Sequence, residues 1–179
     1  MPAIDTLMPM LKSFQGNMNC EVAATSELDT NMNFKIPSLN GVIRISGDGM
    51  HLKTTKELQS LTKLLKFDNT KDIYVDKMSV EGLIAQSRLE IFPFEVEVDR
   101  YRLAMSGTHS MDMSYRYHVS ILKSPLVLKF GIDIYGNNLD EMKYKIGKAK
   151  YKNNIPVFSK VIDEVKYDPD MPEYFPKSY

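Results

Sequence analysis

The sequence predicts a mainly β fold with minor α content: a curved, groove-like antiparallel meander sheet with two short helices. From Asp72 onward, about eighty residues hold no strong helical pattern and form six predicted strands in series. The joints between these strands are short, which favours antiparallel neighbours because a parallel crossover takes about a dozen residues or more. Apolar and polar side chains alternate along the strands, so one sheet face is apolar and the other is solvated.

Length, charge and cysteine content limit the class of protein and its partners. The 179 residues are enough for one domain with a sizeable core. The 23 Lys and Arg residues balance the 23 Asp and Glu residues, so nucleic acid is not an expected partner. The single Cys20 excludes an internal disulfide framework and a thiolate metal cluster.

The printed sequence has no targeting or membrane-spanning pattern. No segment approaches the ~20 apolar residues that cross a bilayer. The first residues lack a basic region followed by an apolar one. Two expectations stay open: a chain that is neither exported nor anchored, or a domain of a longer, anchored protein.

Two elements are predicted before residue 30. Residues 1–15 are expected to form a helix with Asp5 as its N-cap, because apolar residues recur there at helical spacing. A half-buried strand follows, since apolar and polar residues then alternate. The helical stripe comprises Ile4, Leu7, Leu11 and Phe14, and the apolar strand face comprises Met18, Cys20, Val22 and Ala24.

A hairpin or bent strand pair and the second helix are predicted next. In residues 40–53, the run Gly47, Asp48, Gly49 has the composition of a turn. Residues 55–66 have an apolar stripe at helical spacing and a cap at Thr54 or Thr55. The stripe comprises Leu58, Leu61, Leu64 and Leu65.

The six later strands are separated by short joints, and the chain ends in an extended, proline- and tyrosine-rich segment. The predicted domain organisation is an N-terminal helix in 1–15, a β domain in 16–152 and an extension in 153–179. The predicted joints are Gln86-Ser87, Asp99, and the stretches "THS", "SP" and "NNLD".

One predicted strand contains a proline in its most apolar run, "LEIFPFEVEV". Leu89 and Ile91 share one parity, whereas the apolar residues after them fall on the other parity. Because side chains alternate strictly, this strand must bulge near Pro93 to keep its apolar residues on one side. The predicted sheet bend comprises Phe92, Pro93 and Phe94, and the residues of the second parity are Phe92, Phe94, Val96 and Val98.

The residue types and spacings of an enzyme or a metal site are missing from the sequence. His51, His109 and His118 lack metal-ligand spacing, and His118 is expected at a solvated sheet position. There is no phosphate-binding glycine loop and no G-x-S-x-G motif. Glu95 and Glu97, next to Asp99, are better explained as an ion-paired solvated surface than as glycosidase carboxylates. No catalytic residue, metal or cofactor is predicted.

The order of several short motifs resembles the C-terminal region of AsmA-like proteins, in the version typical of Bacteroidetes envelopes. These motifs are "LNG" before a strand, a leucine-rich helix, and then "FPF", "SG", "MDMSY" and "SP". The resemblance covers about residues 16–152. It implies a periplasmic segment of a protein that is tethered to the inner membrane by an N-terminal helix, which this chain lacks.

The resemblance also implies a function in lipid transport and outer-membrane biogenesis. AsmA-like proteins belong with the repeating-β-groove, bridge-like lipid-transfer proteins, in which an apolar sheet face forms a trough for phospholipid acyl chains. The expected partners are those acyl chains, the remainder of the parent protein and an outer-membrane protein. The alternative is a non-catalytic structural cap or scaffold that docks an envelope partner.

The apolar sheet face supplies the candidate lipid-binding residues under this interpretation. Either the face is closed by the fold itself, or part of it is open to a ligand or to the next segment of a longer protein. The predicted groove wall comprises Met113, Tyr115, Tyr117, Val119, Ile121, Leu126, Leu128, Phe130, Ile132, Ile134, Met142, Tyr144 and Ile146.

Overall fold

The structure, a computed structural model, describes residues 14–54, 56–67, 72–125, 129–138, 141–152 and 155. Among these described residues, one α-helix, α1 (Lys56–Leu64), and one 3-10 helix (Ile36–Ser38) lie among the strands. The strands are β1 (Phe14–Thr25), β2 (Asn40–Lys53), β3 (Asp72–Ala85), β4 (Arg88–Val98), β5 (Tyr101–Ser110), β6 (Tyr115–Lys123), β7 (Gly131–Gly136) and β8 (Lys143–Gly147).

All eight strands form one sheet in the order β1-β2-β3-β4-β5-β6-β7-β8, and each is antiparallel to its neighbours. The predicted mainly β class and the predicted antiparallel meander are therefore confirmed. Where the sequence favoured a curved, groove-like sheet, the structure has an open, uncurled one. The reason is topological: β1 and β8 are the two ends of the order, and within the described residues they do not pair with each other.

The hydrophobic core lies on one face of this sheet, which we call the core face. Register places its members opposite one another, as in the pairs Ile45–Val80 and Val119–Ile132. The chain after α1 adds Leu65 to the core, and the Tyr101 hydroxyl donates a hydrogen bond to the Leu65 carbonyl. The buried members are Ile43, Ile45, Met50, Leu65, Phe67, Ile73, Val75, Met78, Val80, Ile84, Leu89, Ile91, Val96, Val98, Tyr101, Leu103, Tyr115, Tyr117, Val119, Ile121 and Ile132.

The predicted turn at Gly47-Asp48-Gly49 is wrong, because β2 is one continuous strand that pairs with β3 along its whole length. Gly49 has a φ of 59°, a value that favours glycine because it has no Cβ. At Gly49 the core-facing parity changes from that of Ile45 to that of Met50. A glycine-rich run thus marks an irregularity inside a strand here and not the end of a strand.

Strand β4 has the irregularity that the sequence placed at Pro93. The pairing of β4 with β5 shifts register between Ile91 and Phe94, so Ile91 and Val96 both reach the core face despite their opposite parity. The assignment of Phe92 to the core face was wrong. Phe92 is buried on the other sheet face, the second face, because it directly follows the core-facing Ile91 and comes before β4 changes parity. Its buried neighbours there are Val42 and Leu83.

The predicted joints at Gln86-Ser87 and Asp99 agree with the structure. The later strands are shorter than predicted: β7 begins at Gly131, after the non-strand residues Lys129 and Phe130, and β8 covers only Lys143–Gly147 of the predicted strand 141–152. Gln86 and Ser87 both have positive φ, which is typical of a two-residue hairpin turn. The predicted joint "THS" was wrong, because β5 continues to Ser110 and His109 still pairs with Tyr115. Met113, with a φ of 74°, therefore lies in the turn before β6 and not in a strand.

Several predictions fall on the termini and on α1. Residues 1–13 of the predicted N-terminal helix lie outside the described residues, while residues 14 and 15 belong to β1. Leu58, Leu61 and Leu64 are on α1, but their side chains lie outside the described residues. Of the extension 153–179, only Ile155 is described. Among the described residues, none of the helices is long and apolar enough to cross a membrane.

We predict that Phe92→Ala lowers the free energy of unfolding by about 3 kcal/mol, because it removes a buried aromatic ring and leaves a cavity beside Val42 and Leu83. Urea unfolding followed by circular dichroism measures this change. Phe34→Ala is the matched control, since Phe34 is 65% exposed and its loss should cost below about 0.5 kcal/mol. Equal effects of the two variants would contradict the second-face assignment of Phe92.

Candidate functional site

The central part of the predicted groove wall is buried in the core face. Five of the predicted wall residues belong to the buried cluster, and Phe130 and Ile134 are half-buried against it. A ligand could reach the buried residues only if the packing around them changed. The five buried residues are Tyr115, Tyr117, Val119, Ile121 and Ile132.

The accessible part of the predicted wall lies at the β7–β8 end of the core face. Tyr144 is 40% exposed and pairs with Ile134, and Ile146 is 48% exposed and pairs with Ile132. Met142 is half-buried immediately before β8. Because directly paired residues share a sheet face, the apolar surface continues without interruption from the core to this edge.

Three predicted wall residues do not contribute to this described surface. Met113 lies in the β5–β6 turn, where Asp112 accepts hydrogen bonds from the backbone N–H and the hydroxyl of Ser114. Leu126 and Leu128 lie outside the described residues.

A buried histidine lies within the apolar face. His109 is 2% exposed, and its Nδ1 is 3.1 Å from the hydroxyl of Tyr117. The ring of Tyr115 stacks at 6.0 Å from the His109 ring, between ring centroids. The Nε2 atom of His109 has no hydrogen-bond partner among the described residues. No sequence pattern indicates this burial, because alternation shows which face a residue occupies and not how deeply it is covered.

Burial controls the protonation of this pair. It lowers the pKa of His109 below its ordinary value, and the opposing attraction of the Asp112 carboxylate is the smaller effect. Burial, with a smaller contribution from Tyr115, raises the pKa of Tyr117 above its ordinary value. Both groups are therefore neutral at physiological pH, and the site has no charge to offer a ligand.

The expectation that His118 is solvated was wrong, since it is 4% exposed on the second face. Residues 148–151, which follow β8, cover it, and we call them the strap. The backbone N–H of Lys150 donates to His118 Nε2 at 3.2 Å, so Nε2 is an acceptor and the ring proton is on Nδ1. His118 Nδ1 then donates to Asp133 Oδ1 at 2.7 Å.

Ser120 completes an Asp–His–Ser arrangement under the strap. Its Oγ lies 3.0 Å from His118 Nε2, which is the distance relationship of a serine nucleophile and its base. The same Oγ accepts the backbone N–H groups of Lys150 at 3.0 Å and Tyr151 at 3.1 Å, and Ser120 has no exposed surface. Both lone pairs are thus occupied, and the arrangement fastens the strap instead of presenting a nucleophile.

The acidic residues that the structure describes form no compact site. Glu95 is exposed and lies 3.9 Å from Arg102, which matches the predicted ion-paired surface. Glu97 and Asp99, with Asp72 and Asp76, border a surface depression of about 430 Å³ between β3 and β4. Among the described residues, no three His, Cys, Asp or Glu side chains come together closely enough to hold a metal ion. No family model, no curated protein and no solved structure matches this chain.

We predict that the stability of the protein decreases as the pH falls below 6.5, the ordinary histidine pKa, because the unfolded chain protonates His109 before the folded one does. The stability contribution is fully present above pH 6.5 and is lost as the pH approaches the lower folded pKa. His109→Gln should flatten the profile of urea unfolding midpoints between about pH 7 and 5. His51→Gln, at a half-buried histidine whose Nδ1 lies 3.1 Å from Asp72 Oδ2, should keep the slope. An unchanged slope in His109→Gln would contradict this assignment.

We predict that Ser120→Ala lowers the free energy of unfolding by about 2 kcal/mol, because it leaves the part-buried backbone N–H of Tyr151 without its acceptor and leaves the Lys150 N–H with His118 Nε2 alone. Urea unfolding measures the loss, and amide hydrogen exchange at Lys150 and Tyr151 should accelerate. Ser79→Ala, at an exposed serine of β3, is the control. Unchanged exchange at both strap amides would refute the fastening role of Ser120.

Proposed function

We propose that this chain is a periplasmic segment of an AsmA-like envelope protein that binds phospholipid acyl chains on the core face of its sheet. The full-length protein is tethered to the inner membrane and takes part in phospholipid transport and outer-membrane biogenesis. The ordered motifs of residues 16–152 and the large apolar cluster on the core face support this proposal. The remainder of the parent protein and an outer-membrane protein are the proposed protein partners.

The observation that carries the proposal is the exposed apolar surface at the β7–β8 end of the core face. Tyr144 and Ile146 continue the buried face into solvent, next to the half-buried Phe130 and Ile134. An acyl chain laid along this end would gain about 0.8 kcal/mol for each buried CH₂ group. Tyrosine suits the boundary between an apolar chain and water, since it has an apolar ring and a polar hydroxyl.

A second candidate is a structural cap or scaffold domain, and the depth of burial favours it. The centre of the predicted wall, from Tyr115 to Ile121, is packed at below a tenth of its full exposure. A sheet face packed so closely already has the burial that stabilises a fold without a ligand. Under this function the chain docks an envelope partner and binds no lipid.

We propose that neither function involves catalysis. The only Asp–His–Ser arrangement among the described residues is sealed by the strap, and the carboxylates near β4 are exposed and ion-paired. Both functions depend on surface contact and require no cofactor.

Native mass spectrometry after incubation with phosphatidylethanolamine–phosphatidylglycerol vesicles tests the lipid-binding function. We expect phospholipid adducts at a defined stoichiometry. Ile146→Asp should reduce the bound fraction roughly fivefold, because a carboxylate replaces about 1 kcal/mol of apolar contact. Tyr144→Asp should have a similar effect on the same edge.

Tyr135→Asp is the matched control, because Tyr135 is an exposed residue of the adjacent strand on the second face. It should leave the bound fraction unchanged. An equal loss in Tyr135→Asp would show that the added charge matters and not the face. A lipid-free chain under all conditions would refute the lipid-binding function and leave the structural cap as the proposal.

A further inference from the structure

Among the described residues, strand β1 is an edge of the sheet, and it pairs regularly with β2 from Asn17 to Thr25, after a bulge between Gln15 and Asn17. Within the described part of the chain it pairs with β2 alone. Met18 is 41% exposed and Val22 is 42% exposed, and both lie on the core face opposite Gly47 and Ile43. The outward backbone N–H and C=O groups of such an edge are ready to pair with another strand.

The two edges of the sheet differ in how they are protected against further pairing. At the other edge, β8 is only five residues long and contains Lys143 and Lys145. Lysines and short length are features that keep an edge strand from pairing. The twelve residues of β1 contain no Lys, Arg or Pro, and Glu21 is their one charged residue. From Asn17 onward, β1 therefore lacks the lysines and prolines that protect an edge strand.

We propose that β1 pairs with β1 of a second copy of this chain, antiparallel and around a two-fold axis at Cys20. Residues that lie directly opposite each other in an antiparallel pair share a sheet face. The two-fold axis therefore passes through one residue position, which lies opposite itself in the other copy, because an axis between two positions would pair residues of opposite faces. With the axis at Cys20, Met18 of each copy lies opposite Val22 of the other. The two exposed apolar side chains of the edge then cover each other on the core face.

Charge and size select this register over its neighbours. An axis at Glu21 places two carboxylates directly opposite each other, which is unfavourable. An axis at Asn19 places Val22 opposite Gly16, which has no side chain to cover it. The axis at Cys20 places the Glu21 carboxylate opposite Asn19 of the other copy, whose side-chain amide can donate to it. The inference uses the β1 edge and none of the residues on which the lipid-binding proposal is tested.

Sedimentation velocity of the purified chain over a range of concentrations tests the dimer. We expect the mass to rise from 20.5 kDa toward twice that value as the concentration increases. Val22→Lys and Met18→Lys should each shift the dissociation constant upward at least tenfold, because each adds a charge at the centre of the new pairing. Both residues are exposed, so folding should be unaffected, as circular dichroism will verify.

Ile146→Lys is the matched control, since Ile146 is an exposed apolar residue of the same face at the β8 edge. It should leave the dissociation constant unchanged. A chain that stays monomeric at all concentrations would overturn the proposal. A dimer that persists in Val22→Lys and Met18→Lys would do the same, because another surface would then form it.

Diamide oxidation tests the register, because Cys20 is the single cysteine of the chain. Two Cys20 thiols each give up one hydrogen atom, one S–S bond forms, and the N=N bond of diamide is reduced to the hydrazine. Directly opposite strand residues have Cα atoms about 4.5–5.5 Å apart, within the range that a disulfide requires. We expect a covalent dimer in the wild type and none in Cys20→Ser or Val22→Lys. A noncovalent dimer that diamide cannot cross-link would overturn the Cys20 register.

Discussion

The strict alternation of side chains along a strand is the constraint on which the rest of this structure depends. A slip of one residue moves every following side chain to the other face, and the described core lies on one face of a single sheet. Each long strand must therefore change parity where its apolar pattern changes. β2 changes at Gly49, β4 changes at Pro93, and β3 changes between Val75 and Met78, which are both in the core.

These parity changes also explain why the pairing of β3 with β4 is uneven. The two strands pair at Val75–Val98 and again from Gly82–Ile91 toward the turn, with the same register at both places. β3 changes parity near one end of this interval and β4 near the other. Between the two changes, residues in the common register would face opposite sides, so the ladder is interrupted. Phe92 directly follows the core-facing Ile91 and comes before β4 changes parity, so ordinary alternation places its ring on the second face.

The sequence predicted features that follow from the local alternation of side chains, and it missed features that depend on contacts between residues distant in the chain. The six strands from Asp72 onward and the position of the β4 bulge follow from local patterns, and Pro93 is a signal that a sequence shows directly. The run Gly47-Asp48-Gly49 suits a turn and a strand irregularity equally, and only the continuous partner strand β3 distinguishes them. The burial of His118 depends on Lys150, which is 32 residues later in the chain, and no local pattern reports a cover that distant.

The exposed apolar residues of both sheet edges lie on the core face, and this connects the two surfaces proposed for this chain. Met18 and Val22 of β1, and Tyr144 and Ile146 of β8, all lie on the core face, although they belong to opposite edges of the sheet. Pairing through β1 would join two core faces side by side without covering the β7–β8 end of either copy. The dimer would then have one extended apolar core face, with the accessible β7–β8 end of each copy still open. Because lysines protect β8 and not β1, pairing takes place only at the β1 edge, and the assembly ends at two copies.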